Sequence, residues 1–278
     1  MSKVLIIGSS HVGAYKNAAD RFAALYPEVQ LDFFGVRGPL FLSGRLDEAG
    51  RFTVPFRDEK DRAFVLATNG SVDIATAGYD HLMLVGHRFG FANFAALLRD
   101  HDILEGARTG KPRVISEAML KDIIETVTEQ SVEDAAETFE HFGGALTFAM
   151  APYPASTLVE RRDALELAAV LESFWARPDA AMVHDIWIQH LRGVLSAEGH
   201  HLLEQPDVLN DGPYATKPEY ASQAAALNDG TLGKKDHRHM NADYGLAMLC
   251  AFAETRLGLI PHTGMQTSPQ KTQKERIA

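Results

Sequence analysis

An unbroken apolar run, Val4-Leu5-Ile6-Ile7, opens the chain and stops at Gly8-Ser9-Ser10-His11-Val12-Gly13. Consecutive apolar residues bounded by small turn residues predict a strand buried on both faces. A 3.6-residue stripe of Ala14, Ala18, Phe22 and Leu25 then predicts a helix from Val12 to Tyr26, with Pro27 at its exit. Val29 to Phe34 reads as a second strand ending in Gly35-Val36-Arg37-Gly38-Pro39, which completes a βαβ opening. From Leu40 to Asp80 the pattern is less regular. Asp47-Glu48-Ala49-Gly50 between Leu46 and Phe52 predicts a hairpin, and the rest an excursion over the sheet of the kind that often forms a lid.

A third apolar run, His81 to Val85, ends at Gly86-His87-Arg88-Phe89-Gly90. Helical spacing follows at Ala92 to Arg99, Glu117 to Glu129 and Val132 to His141, the last stopped by Gly143-Gly144. Ala145 to Met150 predicts a fourth strand. Thr157-Leu158-Val159-Glu160 has capping-box spacing and predicts a helix running to Trp175. Ala180 to Ala197 predicts another helix, His200 to Glu204 a short fifth strand, and Asn241 to Gly258 a final helix capped by Asn241. Strands that alternate with helices imply a parallel sheet covered on both faces, because parallel neighbours need crossover connections. The expectation is an α/β fold, a three-layer α/β/α sandwich with a flavodoxin-like parallel sheet of about five strands. We read 1–262 as one domain with insertions around 40–80 and 100–144, and 263–278 as a polar, frayed tail.

Composition narrows the function classes. The 278 residues carry a formal charge of -10 and are 46% hydrophobic, which fits a globular chain and lacks the basic stripe that nucleic acid demands. No apolar run has the length of a membrane span, and a strand starting at Val4 leaves no room for a secretory leader, so a cytoplasmic protein is expected. Cys250, the single cysteine, falls in an apolar helical stretch and reads as a buried inert thiol.

Ligands of parallel sheets bind beyond the carboxyl ends of the strands, and there this chain places Ser9-Ser10-His11, Gly35 to Gly38 and Gly86-His87-Arg88. A dinucleotide site is disfavoured because its second glycine position is Ser10. A P-loop fails because Gly13 is followed by Ala14-Tyr15. Ser9-Ser10 as a mere helix-capping pair is the plain alternative. Near the other end stands Asp236-His237-Arg238-His239. A serine, an imidazole and a carboxylate suffice for nucleophilic catalysis. The same histidines with His200-His201 offer a zinc set, but no helical His-Glu-x-x-His or paired-cysteine signature supports one.

In these residues the chain resembles the SGNH hydrolases, the GDSL-type esterases and lipases. Gly8-Ser9-Ser10 stands where that family has Gly-Asp-Ser, a glycine turn follows the second strand, and Asp236-His237-Arg238-His239 matches its Asp-x-x-His loop before the last helix. The resemblance implies Ser10 as nucleophile, His239 as general base and acid, and Asp236 as the group orienting the imidazole. It further implies oxyanion donors in the Ser10 N–H and the Gly38 N–H, with Gly35 as second choice. Two departures stand out. The aspartate before the serine is Ser9, whose hydroxyl can bond backbone N–H groups instead. The family's Gly-x-Asn-Asp is Gly86-His87-Arg88-Phe89, so Arg88 takes the register of an asparagine that donates to the oxyanion, with His87 one residue away. His11 follows the nucleophile and is a further cleft candidate.

The resemblance therefore implies hydrolysis of an acetyl or short acyl ester on a carbohydrate or other small metabolite, with no cofactor. An O-acyltransferase would use the same acyl-enzyme, and a non-catalytic binding module on the same fold is the rival class. His184 and His190 read as surface or interface residues, and Phe89, Phe91 and Phe94 as core.

Overall fold

The computed structural model describes residues 1–160, 165–222 and 236–262, with the side chains of Leu165 and Asp236 outside the description. The expected tail and the lead into the final Asp-x-x-His lie outside it as well. Five strands form the central sheet: β1 (Ser2–Gly8), β2 (Val29–Gly35), β3 (His81–Val85), β4 (Leu146–Ala149) and β5 (His201–Leu203). They are parallel, in the order β5-β4-β3-β1-β2. β1 is apolar throughout because it has a neighbour on each side, Gly8 pairing with Gly35 of β2 and with Val85 of β3.

Side chains alternate across the sheet, so Leu5, Ile7, Leu82 and Leu84 join one core, and Val4, Ile6, Met83 and Val85 the other. The first core is closed by α4 (Phe91–Leu97), α5 (Glu117–Thr138), α6 (Leu165–Trp175) and α7 (Ala180–Ala197), through residues such as Phe91, Leu120, Leu171 and Trp187. The second is closed by α1 (Val12–Leu25) and α8 (Ala242–Arg256), through Phe22, Tyr244 and Phe252. The expected three-layer, flavodoxin-like architecture is the one observed. β2 lies on one side of β1 and β3 on the other, so the order in which strands are added reverses between β1 and β3, and the crevice at that switch point is where such sheets take ligands. Ser9-Ser10 leaves β1 there and Gly86-His87 leaves β3 there.

Several local expectations need correction. Glu117 to Thr138 is a single helix; Ser131, at the apparent break, donates its Oγ hydrogen to Val127 O at 2.7 Å inside the helix and caps nothing. α2 (Gly38–Leu42) leads into the excursion after Leu40, which contains α3 (Glu59–Asn69). The ends of α3 were signalled by Asp58, which accepts from Asp61 N–H, and by Gly70 in the left-handed conformation at φ 74°. The predicted hairpin is present, Arg45–Leu46 pairing with Arg51–Thr53, and Leu46, Phe52, Val54 and Val65 bury the segment into the core. Thr157 opens no helix: Ser156–Glu160 is a 3₁₀ turn, and α6 is described only from Leu165. Cys250 is partly exposed, not buried. No helix among the described residues is long and apolar enough to cross a membrane.

Candidate active site

The serine turn depends on two glycines. A Cβ on Gly8 would lie 2.1 Å from Val85 O, and one on Gly86, at φ 130°, would lie 2.5 Å from Ser9 Oγ. Only glycine lets the exits of β1 and β3 close this tightly. Ser9 N–H donates to Val85 O at 2.9 Å and Val12 N–H to Ser9 O at 3.0 Å, which turns the chain into α1. The capping alternative fails, because the N-cap of α1 is His11 and it makes no side-chain cap. Ser9 is buried, and among the described residues its hydroxyl makes none of the backbone bonds expected of it; the backbone alone holds the turn. Ser10 is left exposed.

The partner arrives from the far end of the chain. Asp236–Met240 is a strand, paired antiparallel with Ala221–Ser222, where the sequence reads as a loop. His237 is buried; its Nδ1 meets Thr157 Oγ1 at 2.8 Å, and its carbonyl accepts from Ala155 N–H. Asn241 then caps α8 as expected, accepting from the N–H groups of Asp243 and Tyr244. α8 lies hard against α1, since a Cβ on Gly245 would meet Ala14 O at 2.1 Å. That contact and the strand, anchored by the buried His237 and Met240, carry His239 over the serine turn. Its Nε2 lies 2.7 Å from Ser10 Oγ, across 229 positions of sequence. The His11 ring packs on the His239 ring with centroids 5.0 Å apart. The Asp236 side chain lies outside the described residues.

The chain has no match among protein-family models or among curated proteins. Among solved structures it is similar to a GDSL-like lipase from Bacteroides thetaiotaomicron, at 11% identity and a TM-score of 0.42 over 91% of this chain and 86% of the lipase. It is also similar to an arylesterase of Agrobacterium tumefaciens, described as putative, at 15% identity and a TM-score of 0.39, over 91% and 97% of the two chains. A third is an active-site mutant of a family two carbohydrate esterase from Clostridium thermocellum, at 12% identity and a TM-score of 0.38, over 92% and 64%.

The glycine turn after β2 resolves into two different positions. Gly35 N–H donates to Asn69 Oδ1 at 2.8 Å, so it is already engaged. Gly38 is the first residue of α2, where an N–H has no partner inside the helix, and open space surrounds its Cβ position. Asn69 was missed by the sequence reading, since nothing local marks the last residue of α3 as a partner of β2.

His87 and Arg88 line a cavity of about 270 Å³ together with Leu42, Phe89 and, from α5, Asp134 and Thr138. Phe89 is held at φ 44°, and its carbonyl accepts from Trp187 Nε1 at 3.1 Å, so the loop is pinned in a conformation that non-glycine residues rarely take. Arg88 is half-buried; its backbone carbonyl accepts from Phe91 N–H at 3.2 Å, and its guanidinium makes no hydrogen bond or ion pair with the described residues. The His87 ring is 8% exposed and lies among Phe41, Phe89 and Phe148. Burial pushes its pKa down from 6.5 to about 4, so it is a neutral imidazole at pH 7.

The sign of the pH dependence follows. The unfolded chain binds a proton at His87 below pH 6.5 and the folded chain does not until about pH 4, so stability is full above 6.5 and is lost as pH falls toward 4. The loss approaches about 3 kcal/mol. Urea unfolding at pH 7.5 and 4.5 should show a smaller acid destabilisation for His87→Leu than for wild type; an equal drop contradicts it.

Elsewhere the structure revises the histidine readings. His184 is largely buried, its Nε2 3.1 Å from Tyr153 Oη, and it packs against Trp187. His190 faces Glu129 at 3.4 Å. Among the described residues no three His, Cys, Asp or Glu side chains group as a metal site.

Proposed function

We propose that the protein is a serine esterase of SGNH type that cleaves an acetyl or short acyl ester of a small metabolite or carbohydrate. The observation that carries the reading is the 2.7 Å contact between Ser10 Oγ and His239 Nε2 at the switch point of the sheet. A serine hydroxyl gains nucleophilicity when a hydrogen-bonded imidazole removes its proton, and this distance lies in the range such transfer needs. The resemblance to arylesterases, GDSL-like lipases and carbohydrate esterases agrees with the chemistry.

In the proposed cycle Ser10 Oγ attacks the ester carbonyl while its proton passes to His239 Nε2. The oxyanion is met by the N–H groups of Ser10 and Gly38. Collapse expels the alcohol, protonated from His239, and leaves an acyl-serine. His239 then takes a proton from water, whose oxygen attacks the acyl carbon, and returns it to Ser10 as the acid leaves. With Nε2 facing the serine, the proton of the resting imidazole belongs on Nδ1, and we assign Asp236 to fix that tautomer. His11 supports the imidazole from its side.

Arg88 we assign to substrate recognition, because it lines a cavity that α2, α5 and the β3 exit share, and no ion pair joins its guanidinium to Asp134 or to any other described residue. Short-chain aryl esters with neutral and with anionic leaving groups test both claims. Both should turn over, and Arg88→Ala should raise KM for the anionic ester about tenfold with kcat within twofold, the signature of uniform binding. A loss of kcat on both would make Arg88 an oxyanion donor instead. No turnover of either by wild type would contradict the esterase reading.

A further inference from the structure

The segment between Gly35 and Gly38 is gripped from outside by α3, and the grip is built from side chains that the proposed cycle does not use. At the end of α3, Asn69 reads both backbone groups of Gly35: Oδ1 accepts from Gly35 N–H at 2.8 Å, and Nδ2 donates to Gly35 O at 2.9 Å. The same Nδ2 donates to Val65 O at 2.9 Å, which ties the amide to its own helix. Near the start of α3, Asp61 is 2% exposed and accepts from Arg37 Nη1 at 3.3 Å and from Arg57 Nε at 2.8 Å. One turn on, the Phe64 ring lies 4.5 Å beneath the Arg37 guanidinium. From the other side Gly8 O accepts Val36 N–H at 2.9 Å.

Gly35, Val36 and Arg37 are thus each anchored, by Asn69, Gly8 and Asp61 in turn, and the next residue is Gly38. An oxyanion donor works only if its N–H is aimed before the reaction, because a donor that must reorganise forfeits much of its benefit. A glycine followed by Pro39 has few contacts of its own to aim it. We propose that Asn69 and Asp61 are positioning residues that fix the Gly35–Arg37 segment and thereby aim Gly38 N–H at the oxyanion. The inference rests on the esterase reading for its chemical consequence and on the hydrogen bonds for the clamp itself.

The test compares wild type, Asn69→Ala and Asp61→Asn, each as the full chain, by two readouts well below their unfolding temperatures. In hydrogen exchange, peptides covering 35–42 should exchange at least tenfold faster in Asn69→Ala while peptides from β1 and α8 stay unchanged. In turnover of a neutral aryl acetate, kcat should fall 10- to 100-fold, with KM within twofold and the pH midpoint of kcat/KM unmoved. A merely structural loss would not give that split. Asp61→Asn should reproduce the pattern at about 3- to 10-fold in kcat, and it decides the matter if Asn69→Ala does not fold. Unchanged exchange at 35–42, kcat within twofold, or a loss carried by KM overturns the proposal. If wild type hydrolyses no ester, the esterase reading fails, and the exchange measurement alone then decides whether the clamp exists.

Discussion

Ser10→Ala and His239→Ala should each lower kcat for ester hydrolysis by about 10³-fold or more, while the midpoint of thermal unfolding should stay near the wild-type value. The two effects separate because Ser10 is exposed on a turn that is held by backbone hydrogen bonds, and His239 is only partly buried. Neither deletion opens a cavity in either core. The effects should also fail to add: once the imidazole is gone the serine has no base, so the double variant should be no slower than the worse single one. Steady-state turnover of an aryl acetate and a melting curve for each variant check this. A variant that keeps wild-type turnover removes its residue from the mechanism, and one that loses activity only by unfolding shows that the pair is structural.

Gly245→Val should lower stability by about 2–3 kcal/mol and lose activity with it. At this crossing a Cβ would sit 2.1 Å from Ala14 O and 2.4 Å from the Ala14 carbonyl carbon, so α8 must move away from α1. His239 precedes the N-cap of α8 by two residues, and a displacement of about 1 Å in such a group costs about 100-fold in rate. The exposed Arg21–Asp243 pair between the same helices is too solvated to hold them together. Gly193, in the middle of α7, is the control: open space surrounds its Cβ position, and Gly193→Ala should stabilise the helix by about 0.5–1 kcal/mol with activity unchanged. Urea unfolding and kcat/KM of both variants test the account. Wild-type behaviour in Gly245→Val would show that the crossing does not set the position of His239.

The parts of the fold that were readable from sequence are those determined by local patterning. Val4 to Ile7 and His81 to Val85 lie at the centre of a parallel sheet, so both faces are apolar and the runs are unmistakable. The exits carry glycines because two backbones must touch there, which is why Gly8 and Gly86 mark the crevice. Ser10 and His239 were readable as a candidate pair from their positions after the first strand and before the last helix, although 229 residues separate them. What stayed hidden depends on distant partners. Asp236–Met240 looks like a polar loop until Ala221–Ser222 supplies its neighbour. Asn69 looks like any polar helix end until the Gly35 backbone meets it, and Gly35 and Gly38 look interchangeable until then. Thr157 has the spacing of a cap, yet its hydroxyl is taken by His237. His184 reads as surface because a histidine beside apolar residues carries no mark of the Tyr153 hydroxyl that buries it.

In the proposed mechanism His239 activates Ser10 as a nucleophile. A fluorophosphonate reacts with a serine hydroxyl only when a base removes its proton, so intact mass spectrometry after incubation reports that activation without knowledge of the natural substrate. One adduct per chain is expected at pH 7.5, mapped by digestion to Ser10, absent in Ser10→Ala and slowed by about 100-fold or more in His239→Ala. An unlabelled wild-type chain, or an adduct that maps to another residue, would contradict that mechanism.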